Sequence, residues 1–152
     1  IPAHRASASL RYERLFGEIM HLYGGSAHSI FNSEHSALDW RALRARNDFA
    51  GLGYHSPNMQ LAHGQRLRRG ATAYDQEAIA TLILSGRFIG FLPDHYAEAF
   101  VQRGQMRAIA PARLRYDCDF VSVLRRSPQP SRAALAFHAA LLAAHASMTT
   151  DA

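Results

Sequence analysis

The sequence predicts an α/β fold with parallel strands, and three observations predict it. Between Asp48 and Leu92, apolar runs of strand length alternate with helical stretches in the order strand, helix, strand, helix, strand. Two of the strand exits run straight into helix-starting residues, Ser56-Pro57 and Asp75. The 152 residues, 48% of them hydrophobic, suffice for one domain with a real core. Alternation of this kind joins parallel strands through right-handed crossovers.

The elements follow in order. Leu10–Phe16 and Ile19–Tyr23 carry aromatic and branched residues at strand spacing, with Gly17 and Gly24-Gly25 as punctuation. Leu38, Ala42 and Leu43 share one face of a short helix over residues 38–44. Phe49–Tyr54 reads as a buried strand, and Ser56 caps a helix from Pro57 to about Leu67. Ala71–Tyr74 is a short strand, and Asp75 is the N-cap of a helix from Gln76 to Leu84 that stops at Ser85-Gly86. Phe88–Leu92 is a strand closed by Pro93, followed by a helix from His95 to Gln102 that Gly104 ends. Met106–Ala110, Leu114–Tyr116 and Phe120–Arg125 are further strands. Ser127-Pro128-Gln129-Pro130 is a linker, and Ser131 caps an Ala-rich helix bearing Leu135, Leu141 and Leu142.

Charge and composition remove several function classes. The formal net charge is +5, and all 17 basic residues are Arg, spread from Arg5 to Arg132 with short pairs at Arg68-Arg69 and Arg125-Arg126. No basic stripe with interleaved aromatics and no helix-turn-helix pattern occurs, so direct DNA binding by this chain is not expected. No apolar run approaches the roughly 18 residues needed to span a bilayer. The start, Ile-Pro-Ala-His-Arg, lacks an initiator Met and a signal-peptide core, and reads as a cut end. A single Cys118 excludes an internal disulfide framework and favours a reducing, cytoplasmic setting.

No motif for chemistry emerges. Nine His residues include His21, His28 and His35, seven apart, but no His-x-x-x-His pair occurs, and neither a metal nor any other cofactor is expected. Cys118 stands between Asp117 and Asp119, which raise a thiol pKa and disfavour a nucleophilic thiolate. Nucleophile-elbow, phosphate-loop and dinucleotide fingerprints are all missing, and catalysis is not expected. Binding is better supported. In open α/β sheets, ligands sit beyond the carboxyl ends of strands, near free helix N-terminal N–H groups. Tyr54, His55 and Ser56 leave one strand, Tyr74, Asp75 and Gln76 leave the next, and Phe91 with Pro93 closes the third. Helix capping alone is the commoner reason for an Asp75 or a Ser56 at such a point.

The run from Tyr74 to Pro93, a helix ending in a small residue and Gly and then an apolar strand ending Leu92-Pro93, resembles the effector-binding domain of LysR-type transcriptional regulators. Leu15–Tyr23, His28-Ser29-Ile30-Phe31 in the place of a usual His-Pro-Leu, Gly104-Gln105-Met106 and Ala136-Phe137 support the likeness, which covers nearly the whole chain. Phe88 departs from it, standing where a second glycine is common. The resemblance implies a two-lobed, type II periplasmic-binding-protein-like domain with the first lobe incomplete. Residues 1–27 would be a remnant of lobe one and the crossover, 28–105 a complete lobe two, and 106–152 the return to lobe one with its closing helix. It further implies a small-molecule effector between the lobes and a homodimer or tetramer formed through this domain; Tyr54, His55 and Gln76 with helix N-termini lean toward an organic acid as that effector. DNA would be contacted only through an N-terminal winged helix-turn-helix absent here, and no membrane is involved. The effector residues it implies are Tyr54, His55, Ser56, Tyr74, Asp75, Gln76, Phe91 and Pro93. A periplasmic-type solute-binding protein is the alternative with the same architecture.

Overall fold

A computed structural model describes residues 1–2, 7–33, 40–46, 48–53 and 62–148. The elements are β1 (Leu10–Gly25), α1 (Trp40–Ala45), β2 (Phe49–Leu52), β3 (Arg69–Ala73), α2 (Gln76–Leu84), β4 (Ile89–Pro93), α3 (Asp94–Gln102), β5 (Met106–Ala108), β6 (Arg115–Arg125) and α4 (Arg132–Met148). The chain divides into two compact units, Ile19–Asp117 and the combination of Ile1–Glu18 with Cys118–Ala152.

In the unit Ile19–Asp117 the strand order is β3-β2-β4-β1-β5. β2 runs parallel to both β3 and β4, as the strand-helix alternation predicts. β1 lies antiparallel to β4, with His21 opposite Leu92 and Tyr23 opposite Gly90. β4 is buried on both faces, so its alternation sorts side chains between two cores. Phe91 and Ile89 pack with Leu22 and Phe49 on one side, and Leu92 packs with Leu52, Ile79 and Ile83 on the other. Gly90 lets α2 come close: a Cβ there would meet Ile79 Cγ2 at 2.9 Å.

The helices begin and end where local chemistry dictates. Asp75, extended at φ −145 and ψ 168, accepts the Ala78 N–H at 2.7 Å through its side chain. Gly86, at φ +71, closes α2 by donating to the Ile83 carbonyl at 3.0 Å. Gly104, at φ +68, closes α3 with paired bonds: its own N–H goes to Val101 and that of Gln105 to Phe100. Of the helix expected from Pro57, residues 62–64 are helical, and Arg66 turns away from it at φ +56.

The second unit corrects two expectations. β1 is one strand where Gly17 was expected to break it, and β6 is one strand through Asp117-Cys118-Asp119. Pairing between β1 and β6 overrides the local sequence. Phe16 stacks on Phe120 at 4.8 Å between ring centroids, and Arg14 Nε donates to Asp119 Oδ1 at 2.9 Å. Gly17 is where that ion pair crosses the strand, since a Cβ would meet Arg14 Nη2 at 3.0 Å and Asp119 Oδ1 at 3.2 Å. Ser131 caps α4 as expected, accepting the Ala134 N–H at 3.2 Å.

Candidate functional site

The carboxyl ends of β2, β3 and β4 lie along one edge of the sheet, because the three strands are parallel. Gly53 follows β2 and donates its N–H to the Ala73 carbonyl at 2.7 Å, tying the first two exits together. The Tyr74 ring rests on Gly53: a Cβ at 53 would stand 2.6 Å from Tyr74 Cε1. Tyr74 is 74% exposed, so the edge presents a large aromatic face to solvent. Asp75 and Gln76 follow at the N-terminus of α2. Asp75 acts as the cap, and Gln76 Oε1 is buried without a hydrogen-bond partner among the described residues. Pro93 is buried and ends β4, and Asp94 opens α3, accepting the His95 N–H at 2.7 Å.

The structure brings Tyr74, Asp75 and Gln76 together, as their adjacency requires. Phe91 takes a different position. It is fully buried, two residues inside the strand end, with its ring edge-on to Phe49 at 6.0 Å and to Tyr116 at 5.3 Å. Tyr54, His55 and Ser56 lie outside the described residues. Sequence reasoning passed over Gly53 as the seat of the Tyr74 ring, and Asp94 as a second acid on the edge. A glycine and an acidic residue standing immediately after apolar strands were the available signals.

A buried polar group at the opposite edge also escaped the sequence. His28 and Asp48 are 5% and 7% exposed, and His28 Nε2 lies 3.4 Å from Asp48 Oδ2. Nineteen intervening residues hide that pairing from any local pattern, although an Asp directly before a strand entering the core was a usable hint.

Two titratable groups are displaced. Burial, reinforced by the Asp94 carboxylate, pushes the Tyr23 phenol up to about 12. The Cys118 thiol is also raised, first by burial and then by Glu18 and Asp119, so desolvation outweighs the flanking charges that the sequence pointed to. A raised thiol is a poor nucleophile. Among the described residues no group of three or more His, Cys, Asp or Glu side chains is arranged to hold a metal ion. No helix among them is long and apolar enough to cross a membrane.

The family model for the LysR substrate binding domain matches residues 2–146. The chain is 32% identical over 131 residues to the HTH-type transcriptional activator BauR of Pseudomonas aeruginosa, covering 86% of this chain and 43% of that protein. It therefore spans less than half of that relative's length. Among solved structures it is similar to the regulatory domain of CrgA, a LysR-type transcriptional regulator from Neisseria meningitidis (TM-score 0.65, 16% identity, 94% of this chain and 72% of that one). It is also similar to full-length HypT, a hypochlorite-specific LysR-type regulator from Salmonella typhimurium (TM-score 0.64, 17% identity, 93% of this chain and 48% of that one). A third is full-length LysG from Corynebacterium glutamicum with bound effector Arg (TM-score 0.65, 16% identity, 94% of this chain and 49% of that one). At those identities the structural likeness establishes the fold, the type II periplasmic-binding-protein-like architecture of LysR regulatory domains. With the family model matching nearly its whole length, the chain belongs to the LysR substrate-binding domain family.

Proposed function

We propose that this chain is the effector-sensing part of a cytoplasmic LysR-type transcriptional regulator and performs no catalysis. In this reading residues 28–105 form lobe two, and residues 1–27 and 106–152 belong to lobe one. A small molecule binds against the exits of β2, β3 and β4, on the edge that carries Tyr74, Asp75, Gln76 and Pro93. Tyr54, His55 and Ser56, which follow Gly53 in the sequence, are further effector residues in this reading, and Phe91 supports the edge from within the core. Binding alters how a separate winged helix-turn-helix, outside this chain, engages DNA, and the regulator assembles as a homodimer or tetramer through this domain.

The observation that carries the reading is the exposed Tyr74 ring seated on Gly53 beside the capped start of α2. An aromatic face of that size, fixed by a glycine and next to helix N–H donors, is a binding surface with little structural purpose of its own. An organic acid is the effector class we favour, received by the Gln76 and Glu77 N–H groups, which have no partner among the described residues. The acids Asp75, Glu77 and Asp94 at the same edge favour a second reading, an effector that also carries a cationic group.

A thermal-shift screen separates these, because a ligand that binds only the folded state raises its apparent stability. Aliphatic and aromatic acids, amines, amino acids and neutral compounds form the panel. A shift with acids that Tyr74→Ala removes supports the organic acid, and a shift confined to amines or amino acids supports the second reading. Shifts confined to neutral compounds, or indifferent to Tyr74→Ala, overturn both.

A further inference from the structure

Where β2 and β4 begin, at the edge opposite the strand exits, an open pocket of about 490 Å³ is lined by Ala27, Arg46, Asp48, Ser85, Gly86 and Arg87. Two guanidinium groups and one carboxylate face it. The carboxylate is already engaged. The Asp48 side chain is 9% exposed, and its Oδ2 lies 2.6 Å from Arg46 Nε and 3.4 Å from His28 Nε2. Neither contact has hydrogen-bond geometry, so Oδ2 is shielded from water and still lacks a directed donor. His28 lies behind the pocket lining, where its Nδ1 accepts the Ile30 N–H at 3.1 Å.

Arg46 is thereby held from two sides, by Asp48 at Nε and by the Ser29 hydroxyl, which accepts from Nη1 at 2.9 Å. The Nη1 bond to Ser29 is the only hydrogen bond its guanidinium makes among the described residues, so most of its five N–H donors remain. Arg87 is exposed and has no carboxylate partner among the described residues; its guanidinium stands 6.0 Å from the Phe88 ring centroid. One negative charge against two positive ones leaves the pocket basic, in a site that already fixes one of its cations.

The C-terminal end of α2 would oppose an anion if its carbonyls were bare. Three of the last four are engaged. Thr81 and Ile83 accept the N–H groups of Ser85 and Gly86, each at 3.0 Å, and Leu82 accepts the Ser85 hydroxyl at 2.6 Å. Gly86 is pressed against Ala27, where a Cβ would meet that residue's Cβ at 2.5 Å, so the turn that carries Arg87 is firmly seated.

The geometry points to a binding site for a small oxyanion, a phosphate or a carboxylate, held between Arg46 and Arg87. It lies at the opposite edge from the proposed effector surface and stands independently of it. The test is amide chemical-shift titration of the isotopically labelled chain with sodium phosphate and, separately, sodium acetate, at neutral pH and constant ionic strength. We expect saturable shifts at Ser85, Gly86 and Arg87 with at least one salt, and the tighter of the two identifies the source. Arg87→Gln leaves no buried charge unpaired and should weaken binding about tenfold, the loss of one charge-assisted contact. Arg125→Gln, in the other compact unit, should leave it unchanged. Shifts that grow linearly with both salts, an affinity indifferent to Arg87→Gln, or equal weakening by Arg125→Gln would each overturn the site.

Discussion

Gly25 lies directly under the Ile83 carbonyl. A Cβ at position 25 would stand 2.1 Å from that oxygen and 3.1 Å from its carbon, so α2 rests on bare strand backbone at the end of β1. The contact involves main chain on both sides, and no side-chain rotation relieves it. Gly25→Ala should therefore cost about 3 kcal/mol, the upper range for overpacking a tight contact. Gly64 is the control, since no atom of the described residues lies within 4 Å of its added Cβ and it sits in a helix. Gly64→Ala should gain about 0.5–1 kcal/mol. Urea midpoints of the two variants check both, and equal midpoints would sink the packing argument.

Asp75 has two candidate roles, cap and ligand contact, and they separate experimentally. Its carboxylate accepts the Ala78 N–H at 2.7 Å, so Asp75→Ala should cost about 1 kcal/mol through the lost cap alone. Asp75→Asn should keep most of the stability, because Asn caps nearly as well. A ligand response that survives in Asp75→Ala identifies a cap and nothing more, whereas a response lost in the stable Asp75→Asn identifies a contact.

How far the sequence reached follows from where each signal resides. α2 was legible from end to end because its signals are local: Asp75 caps it, and Ser85-Gly86 stops it. β1 and β6 were not, because Gly17 and Asp117-Cys118-Asp119 read as breaks. Partners more than a hundred residues away, Phe16 with Phe120 and Arg14 with Asp119, make those strands continuous. Tyr74 was legible as a strand-exit aromatic, but its seat on Gly53 depends on β2 and β3 lying side by side. Phe91 reads in the sequence as part of the strand-exit edge beside Pro93, because a strand buried on both faces has no alternation to mark it as core.

The placement of Phe91 makes its own prediction. It is fully buried between Phe49 and Tyr116, so Phe91→Ala should cost about 3–5 kcal/mol. Phe91→Leu leaves a smaller void and should cost about 1–2 kcal/mol. In a ligand-responsive preparation, Phe91→Leu should leave affinity within about threefold of the parent, less than 1 kcal/mol. A larger loss of affinity at unchanged stability would move Phe91 from the core to the binding surface.

Tyr23 should make the fold sensitive to alkali. Its phenol is held near 12 in the folded protein, by burial first and the Asp94 charge second, against about 10 in an unfolded chain. Below pH 10 the residue is neutral in both states and its contribution does not vary. Between about pH 10 and 12 the unfolded chain releases the proton while the folded one keeps it, so the folded state binds more protons and stability falls as pH rises. Two units correspond to an upper bound of about 2–3 kcal/mol. Tyr23→Phe cannot ionise, and its stability should decline less over that interval while tracking the parent below pH 9. The difference between the two urea-midpoint curves isolates Tyr23 from the other tyrosines, and parallel curves up to pH 12 would show that the burial around it yields to the charge.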